Sequence, residues 1–166
     1  EIKKIPIVIE RLQQGQSYAL VSDSGTPAIS DPGIRLVSEA VKNGIEVITI
    51  PGATALIAAL TISGLPTDSF VFEGFLPQKK GRQKKIGELS EEKRTIVLYE
   101  SSHRIEKLIN ELVQYFPERY VVVCRELTKK FEESWRGYPA ELKEKLNEKI
   151  IKGEFVVVIA SKDWKN

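Results

Sequence analysis

The stretch YALVSDSGTPAISDPG, residues 18–33, decides the fold. It opens with an apolar run at 18–22, which has the length of a buried strand, and continues into a loop rich in turn-forming residues. A helix is predicted over 34–43, and a second strand over 46–50 leads through Pro-Gly into an apolar helix over 53–63. Because strand, loop and helix repeat in this order, the sequence predicts parallel strands in an α/β sheet.

Both flanks extend this pattern. Before it, apolar residues at helical spacing predict a helix over 1–14 that ends at Gly15. After it, turn formers at 64–68 mark the best boundary, so we expect two domains, 1–68 and 69–166. The second domain is predicted to contain strands at 70–75, 95–100, 120–127, 133–136 and 154–160, and helices ending near 92 and spanning 103–116 and 140–151.

The composition is that of a globular protein. Of 166 residues, 42% are hydrophobic and 29% charged, and the formal net charge is +2. This near balance argues against a protein that coats DNA generally and leaves room for a local basic patch. One cysteine and one histidine form neither an internal disulfide nor an ordinary zinc site. Without a signal peptide or an apolar run of about 18 residues, we expect a cytoplasmic protein with no membrane partner.

Two loops carry candidate ligand contacts, because ligands of open α/β sheets bind beyond the carboxyl ends of the strands. In the loop 22–33, Gly25 and Gly33 let backbone N–H groups approach a ligand. The segment PGATA at 51–55 places N–H groups and a hydroxyl at a helix start, which suits a carboxylate or an adenine edge. The alternative is that both segments are tight connections around a buried sheet. Neither matches GxGxxG or GxxxxGK(S/T), which disfavours Rossmann and P-loop sites.

Five ordered motifs cover most of the chain, namely LVSDSGTPAISDPG at 20–33, PGATALIAALTISGLPTDSFVFEGFLP at 51–77, KGRQKK at 80–85, RTIVLYESSHR at 94–104 and VVVCRELTK at 121–129. Together they resemble the tetrapyrrole methylase family, and within it the ribosomal RNA branch. The resemblance implies a tetrapyrrole-methylase-like α/β fold of two domains with the cofactor S-adenosylmethionine between them, usually in a homodimer. It also implies 2′-O-methylation of a cytidine ribose in small-subunit ribosomal RNA.

The chain departs from the family at its start. Family members begin with a strand, a glycine- and proline-containing loop and an acidic segment. The resemblance implies that Glu1 corresponds to a position after all three segments. The chain also has no methionine. We therefore expect an N-terminally truncated chain whose first domain is incomplete and whose remaining sheet has an exposed edge or gap.

The resemblance implies cofactor contacts in both domains. Tetrapyrrole enzymes of the family more often have Gly-Asp-Pro where this chain has Gly25-Thr26-Pro27, a departure that the ribosomal RNA branch shares. The positions in the second domain lie at strand ends that are expected to close over the adenosine. For Cys124 the alternative is a small buried hydrophobic residue. The implied contacts are Ser22, Gly25, Thr26, Pro27, Ile29, Thr54, Ala55, Tyr99, Cys124 and Glu154.

The implied chemistry points to acid–base and cationic side chains. A ribose hydroxyl is a weak nucleophile at neutral pH, so its methylation gains from in-line positioning, a base, or cations that stabilise developing charge. The catalytic candidates are Glu100, His103 and Arg125, with Arg104 and Lys129 as further cations. Each has a structural alternative, since Glu100 could cap the helix that begins near His103, and Arg125 could pair with Glu126.

A basic cluster follows the predicted strand 70–75. Its density in a nearly neutral chain favours contacts with RNA phosphates, although most charge runs are solvated faces. Base recognition would require aromatic stacking, for which Phe75, Tyr99, Trp135 and Tyr138 are available unless they are core residues. The cluster consists of Lys79, Lys80, Arg82, Lys84 and Lys85.

Three functions stay open at this point. The first is S-adenosylmethionine-dependent methylation of a cytidine ribose, with small-subunit ribosomal RNA or the assembling subunit as partner. The second is methylation of a tetrapyrrole or another small molecule, in which the basic cluster has no evident use. The third is a non-catalytic RNA-binding or dimerising fragment, because part of the cofactor site is expected to be absent.

Overall fold

A computed structural model describes residues 2–147 and 151–165. The chain divides into two compact units, Glu1–Thr54 and Ala55–Asn166. This division falls before the turn-forming segment 64–68, because the helix that precedes that segment packs on the sheet of the second unit. The assignment of domains to 1–68 and 69–166 stays a prediction.

The first unit contains two helices. A short 3-10 turn, Ile2–Lys4, leads into α1, Ile5–Gln13, and α2 spans Ile34–Lys42. Gly15 and Gly44 follow these helices with φ of +86° and +69°, which is the left-handed conformation that ends a helix. Both helices of this unit were predicted from periodicity and are confirmed.

The two strands predicted in the first unit are wrong. Residues 18–22 and 46–50 belong to no strand, and no strand occurs in the described part of this unit. Their apolar side chains are largely exposed, with Ile48 73% and Ile50 81% accessible. A strand exists only where a neighbour satisfies its N–H and C=O groups, and none of the five paired strands comes from this unit.

The second unit is built on a mixed five-stranded sheet in the order β1-β2-β5-β3-β4. The strands are β1 Phe70–Phe75, β2 Thr95–Ser101, β3 Val121–Arg125, β4 Glu133–Gly137 and β5 Glu154–Ile159. These confirm the predicted strands to within about two residues. The predicted parallel arrangement holds only for β1 and β2, since β5 is antiparallel to β2 and β3, and β4 is antiparallel to β3. Apolar runs predict strands but not their direction, which explains this error.

Helices cover both faces of the sheet. They are α3 Ala55–Ser63, α4 Arg82–Ser90, α5 Ile105–Tyr115 and α6 Pro139–Asn147. Alternate strand residues point to opposite layers: Val97 and Val158 pack with α3, whereas Leu98 and Val157 pack with α4, α5 and α6. Of the helix predicted over 140–151, residues 148–150 lie outside the described residues.

The strand directions place the candidate site. Because β5 runs antiparallel to both β2 and β3, the strands β1, β2 and β3 all run the same way. Their carboxyl ends, together with the start of β4 and β5, therefore meet at one margin of the sheet, which we call the carboxyl edge.

Within the described ranges, no helix has the length and apolar character needed to cross a membrane.

Candidate functional site

In the first unit, two predicted cofactor loops lie against each other. The Thr26 hydroxyl donates a hydrogen bond of 3.0 Å to the carbonyl of Ala53. A Cβ added to Gly25 would lie 3.5 Å from that carbonyl, and one added to Gly52 would lie 3.5 Å from the Thr26 Oγ1. Loop 22–33 and the segment before α3 thus form one joined surface.

The loop 22–33 is held in an unusual backbone conformation. Ala28 and Ser30 have φ of +68° and +54°, values that cost a residue with a Cβ about 1–2 kcal/mol. The Ser22 hydroxyl bonds to the Ser24 carbonyl at 3.0 Å, which closes a local turn. Such strain clusters at ligand sites, and this loop presents its predicted contacts Pro27, half-buried, and Ile29, exposed.

In the second unit, Tyr99 meets the start of α3. The Leu56 N–H, in the first turn of α3, donates a hydrogen bond of 3.0 Å to the Tyr99 hydroxyl. Ala55 is the first residue of α3 and is exposed, while Thr54 is half-buried. The structure therefore brings the start of α3, with the predicted contact Ala55, close to the predicted contact Tyr99, although Leu56 and Tyr99 are 43 residues apart in the sequence.

Glu100 lies in a buried ion-pair network rather than at the surface. It is 1% exposed, its carboxylate accepts hydrogen bonds from Arg82 and from the Ser101 N–H at 2.9 Å, and it forms an ion pair with Arg104 at 2.8 Å. Arg82 also binds Glu111, with Nη2 and Oε2 2.8 Å apart. These contacts favour a structural role for Glu100 and not the proton transfer predicted for it.

Arg82 is a correction to the predicted RNA contacts. Its side chain is 1% exposed, because the guanidinium is enclosed between Glu100 and Glu111. Burial lowers the pKa of Arg82, but hydrogen bonds and charge from Glu111 and Glu100 outweigh it and raise the pKa above its ordinary value. An enclosed guanidinium of this kind cannot reach a phosphate.

The other cationic residues of the cluster fall into two groups. Lys79 and Lys80 are exposed on the turn that joins β1 to α4. Lys84 is exposed on α4 with its ammonium 3.8 Å from the Glu88 carboxylate, whereas Lys85 forms a 2.8 Å ion pair with Glu73 on β1. The helix begins inside the segment predicted as a basic loop, and Lys79, Lys80 and Lys84 are the residues it leaves accessible.

Arg125 ends β3 at the carboxyl edge and is nearly buried. It donates to the Lys152 carbonyl and to the Glu133 carboxylate at 3.2 Å, and Glu133 is its register partner on β4. The alternative of a pair between Arg125 and Glu126 is therefore replaced by one across the strands.

Glu154, also at this edge, binds the Lys129 ammonium at 2.8 Å. Hydrogen bonds from the Glu154 N–H and from Lys129 lower the pKa of Glu126 beside it. The same pair of carboxylates, Glu154 and Glu126, raises the pKa of Lys129. This charged group ties the start of β5 to the loop after β3.

Two further predicted residues contrast sharply. His103 is exposed in the turn between β2 and α5. Cys124 is fully buried in the α3 layer, and burial raises the pKa of its thiol to about 11. The contact surroundings of Cys124 are those of a buried hydrophobic residue.

Sequence reasoning missed the residue that completes the buried network. Glu111 on α5 pairs with Arg82. A usable signal was its place on the apolar side of α5, three residues after Leu108 and one before Leu112.

Solved structures share this fold. The methyltransferase CobJ matches with a TM-score of 0.72 and 18% identity, over 100% of this chain and 73% of that chain. Uroporphyrin-III C-methyl transferase from Thermus thermophilus, complexed with S-adenyl homocysteine, matches with a TM-score of 0.64 and 15% identity, over 96% and 73%. The mixed sheet with helices on both faces is therefore the α/β fold of this class of methyltransferases.

The sequence comparison is narrower. The family model of Tetrapyrrole (Corrin/Porphyrin) Methylases matches residues 2–143, and the chain belongs to this family. It is 52% identical over 155 residues to the Ribosomal RNA small subunit methyltransferase I of Synechocystis sp., covering 92% of this chain and 56% of the relative. The protein of that name from Halalkalibacterium halodurans is 48% identical over 153 residues, covering 92% and 53%. The chain thus spans about half the length of these relatives.

Proposed function

We propose that the chain is part of an S-adenosylmethionine-dependent methyltransferase that modifies the 2′-oxygen of a cytidine ribose in small-subunit ribosomal RNA. The observation that carries the proposal is the 48–52% identity to ribosomal RNA small subunit methyltransferases, which extends over 92% of this chain. The tetrapyrrole enzymes share only the fold, at 15–18% identity. Methylation of ribosomal RNA is therefore favoured over methylation of a small molecule.

The joined loops of the first unit fit a cofactor with polar and charged groups. Gly25 and Gly52 leave backbone exposed where a side chain would touch the opposite loop, and Thr26 adds a hydroxyl beside them. S-adenosylmethionine, when bound, supplies a methyl group on a positively charged sulfur. We propose contacts with it for Ser22, Gly25, Thr26, Pro27, Ile29 and Thr54 of the first unit and for Ala55, Tyr99 and Glu154 of the second unit. The Cys124 side chain is fully buried and is left out of this set.

The residues at the carboxyl edge have different proposed roles. His103 is exposed, and an imidazole nitrogen can act as a general base, so we assign proton acceptance from the ribose hydroxyl to it. Arg125 and Glu100 are held by partners and act by positioning the backbone of the edge. Lys129 is an accessible cation at this edge, and its ammonium forms ion pairs with Glu126 and Glu154.

RNA phosphates are the proposed partners of Lys79, Lys80 and Lys84. Their exposure permits contact with a backbone, and such contacts position RNA without reading its sequence. We propose ribosomal RNA, alone or in the assembling subunit, as the substrate, a homodimer as the active form and the cytoplasm as the compartment.

Two measurements test this function. Calorimetric titration of the 166-residue chain with S-adenosylmethionine, beside the full-length Synechocystis relative, tests cofactor binding. Transfer of labelled methyl groups to small subunits, followed by mapping of 2′-O-methylated nucleotides, tests the reaction. We expect His103→Gln to lower the rate while leaving cofactor affinity unchanged. Cofactor binding by the relative alone would make this chain the non-catalytic fragment, and methylation of a base would contradict the ribose assignment.

A further inference from the structure

Phe75 is an exposed aromatic residue in an ordered setting. It ends β1 at the carboxyl edge and is 49% accessible, whereas the Leu76 side chain that follows it is buried. Its ring lies edge-on to that of Tyr99, with centroids 5.7 Å apart. Neither the fold nor the proposed cofactor contacts account for a phenylalanine presented at this place.

The neighbours of Phe75 are held in turn by the core. The Tyr99 ring packs edge-on to Phe72 at 5.0 Å, and its hydroxyl is fixed by the Leu56 N–H at 3.0 Å. The Arg104 guanidinium carbon lies 5.7 Å from the centre of the Phe75 ring. Arg104 itself is anchored by Glu100 at 2.8 Å. The ring is therefore oriented before any ligand arrives, which reduces the entropy lost on binding.

The same network fixes the loop that follows Phe75. Arg104 donates a hydrogen bond of 3.2 Å to the Leu76 carbonyl, and Arg82 donates one of 3.3 Å to the Pro77 carbonyl. The exposed Lys79 and Lys80 come next in the chain. One short segment of the chain thus carries an exposed aromatic ring and two ammonium groups. The Arg104 guanidinium, from the start of α5, lies beside the ring.

We propose that Phe75, oriented by Tyr99 and Arg104, stacks against an unpaired base of the RNA substrate. A nucleobase offers a flat face to an aromatic ring or a guanidinium, and the adjoining phosphates match the positive charge of Lys79 and Lys80. This inference rests on the proposed RNA substrate and deepens it, because it requires a single-stranded or splayed-out nucleotide at the carboxyl edge. Phe75 positions the RNA and takes no part in methyl transfer.

The test separates base stacking from phosphate attraction. A fluorescein-labelled oligocytidylate and an abasic ribose-phosphate oligomer of the same length are titrated with the 166-residue chain, without cofactor, and followed by anisotropy. Phe75→Ala is expected to weaken oligocytidylate binding by roughly 5- to 150-fold and to leave the abasic oligomer unchanged. Phe75→Trp keeps a stacking surface and is expected to retain the affinity.

Tyr138 was a sequence candidate for base stacking, but the structure places it at the margin of the sheet opposite Phe75, so it lies outside the proposed site and provides a matched control. It is 38% accessible and lies edge-on to Tyr120, but it follows the end of β4 at the opposite margin of the sheet. Tyr138→Ala is expected to leave both affinities unchanged. Fluorescence of Trp135 and Trp164, the two tryptophans of the chain, verifies that each variant is folded.

Three results overturn the proposal: an unchanged affinity of Phe75→Ala for oligocytidylate, an equal loss for the abasic oligomer, or no binding of either oligomer by the unmodified chain. A loss of S-adenosylmethionine affinity in Phe75→Ala, with oligocytidylate binding intact, would also overturn it and assign the ring to the cofactor. Because the titration contains no cofactor, base-dependent binding is measured even if methyl transfer fails, so failure of the proposed activity and of the stacking site are distinguishable.

Discussion

Similar apolar runs of sequence form a strand in one unit of the molecule and no strand in the other. In the second unit, the apolar run of β5 becomes the central strand, and Phe155 to Ile159 are buried between β2 and β3. In the first unit, the comparable run at 46–50 forms no strand and is exposed. An apolar run therefore specifies a strand only together with the neighbours that complete its hydrogen bonds.

The described part of the first unit is stabilised by turns and by a contact between loops, and not by hydrogen bonds between paired strands. Its helices are bounded by Gly15, Gly33 and Gly44, all at positive φ, and the Thr26 hydroxyl joins its two loops. The second unit is held by two apolar layers and the buried network of Arg82. Substitutions in these different supports test the contrast.

The largest effect is expected from Arg82→Ala in the second unit. Removing the guanidinium leaves Glu100 and Glu111 as buried carboxylates short of a partner, at a cost of about 3–5 kcal/mol. Urea unfolding followed by tryptophan fluorescence measures this unit specifically, because both tryptophans lie in it. Lys84→Ala, which breaks an exposed pair on the same helix, should change the free energy of unfolding by less than about 0.5 kcal/mol. Equal effects of the two variants would contradict the structural role of Arg82.

A core truncation compares the units directly. Leu108→Ala removes a fully buried side chain from the layer between the sheet and α5, so we expect a loss of about 2–5 kcal/mol. Ile48→Ala removes an exposed side chain of the first unit and should cost less than about 0.5 kcal/mol. Thermal unfolding by circular dichroism measures both. A large loss in Ile48→Ala would show that this segment is packed in solution.

Gly33→Ala tests the turns of the first unit. The residue has φ of +123°, and an added Cβ would lie 2.6 Å from the Leu20 side chain, so we expect a local cost of about 2 kcal/mol. Gly15→Ala has positive φ but open space around it and should cost about 1 kcal/mol. Hydrogen exchange of the α1 and α2 amides reports this cost. Identical exchange in both variants would remove any special role for Gly33.

The smallest effect is a pH dependence of the second unit. Burial raises the pKa of the Cys124 thiol to about 11, so the folded state keeps its proton more tightly than the unfolded chain does. The stability from this group is present below about pH 9 and is lost as the pH rises toward 11, with about 1–2 kcal/mol lost near pH 10. Urea unfolding of the chain and of Cys124→Ala across this range isolates the thiol. Parallel pH profiles would refute the shift.

Sequence reasoning succeeded where local signals suffice. The strand at 70–75 was predicted to the residue, and the ends of α1 and α2 follow from their glycines. Strand direction was not predictable, because the position of β5 between β2 and β3 is a long-range choice that alternation does not encode. The first-unit strands failed for the related reason that partners are not visible in a local pattern.

The candidate site was predicted less completely than the fold. Motif resemblance identified Thr26 and Tyr99, and the structure gives both of them specific contacts. Charge counting placed Arg82 among the RNA contacts, because composition does not reveal which cation faces Glu100 and Glu111. A pattern shows the density of charge, and only the packing of α4 against α5 decides which charges reach solvent.

The position of β5 also governs the order of events during synthesis. Of the five strands of this sheet, Glu154–Ile159 comes last in the sequence, and it is inserted at the middle of the sheet. Until it has left the ribosomal tunnel, β2 and β3 have no partner on their facing sides, and the nascent second unit stays open. A premature stop before Glu154 therefore does not yield a smaller domain, but a product in which β2 and β3 each lack a partner on one side, and proteases and chaperones recognise such open apolar edges.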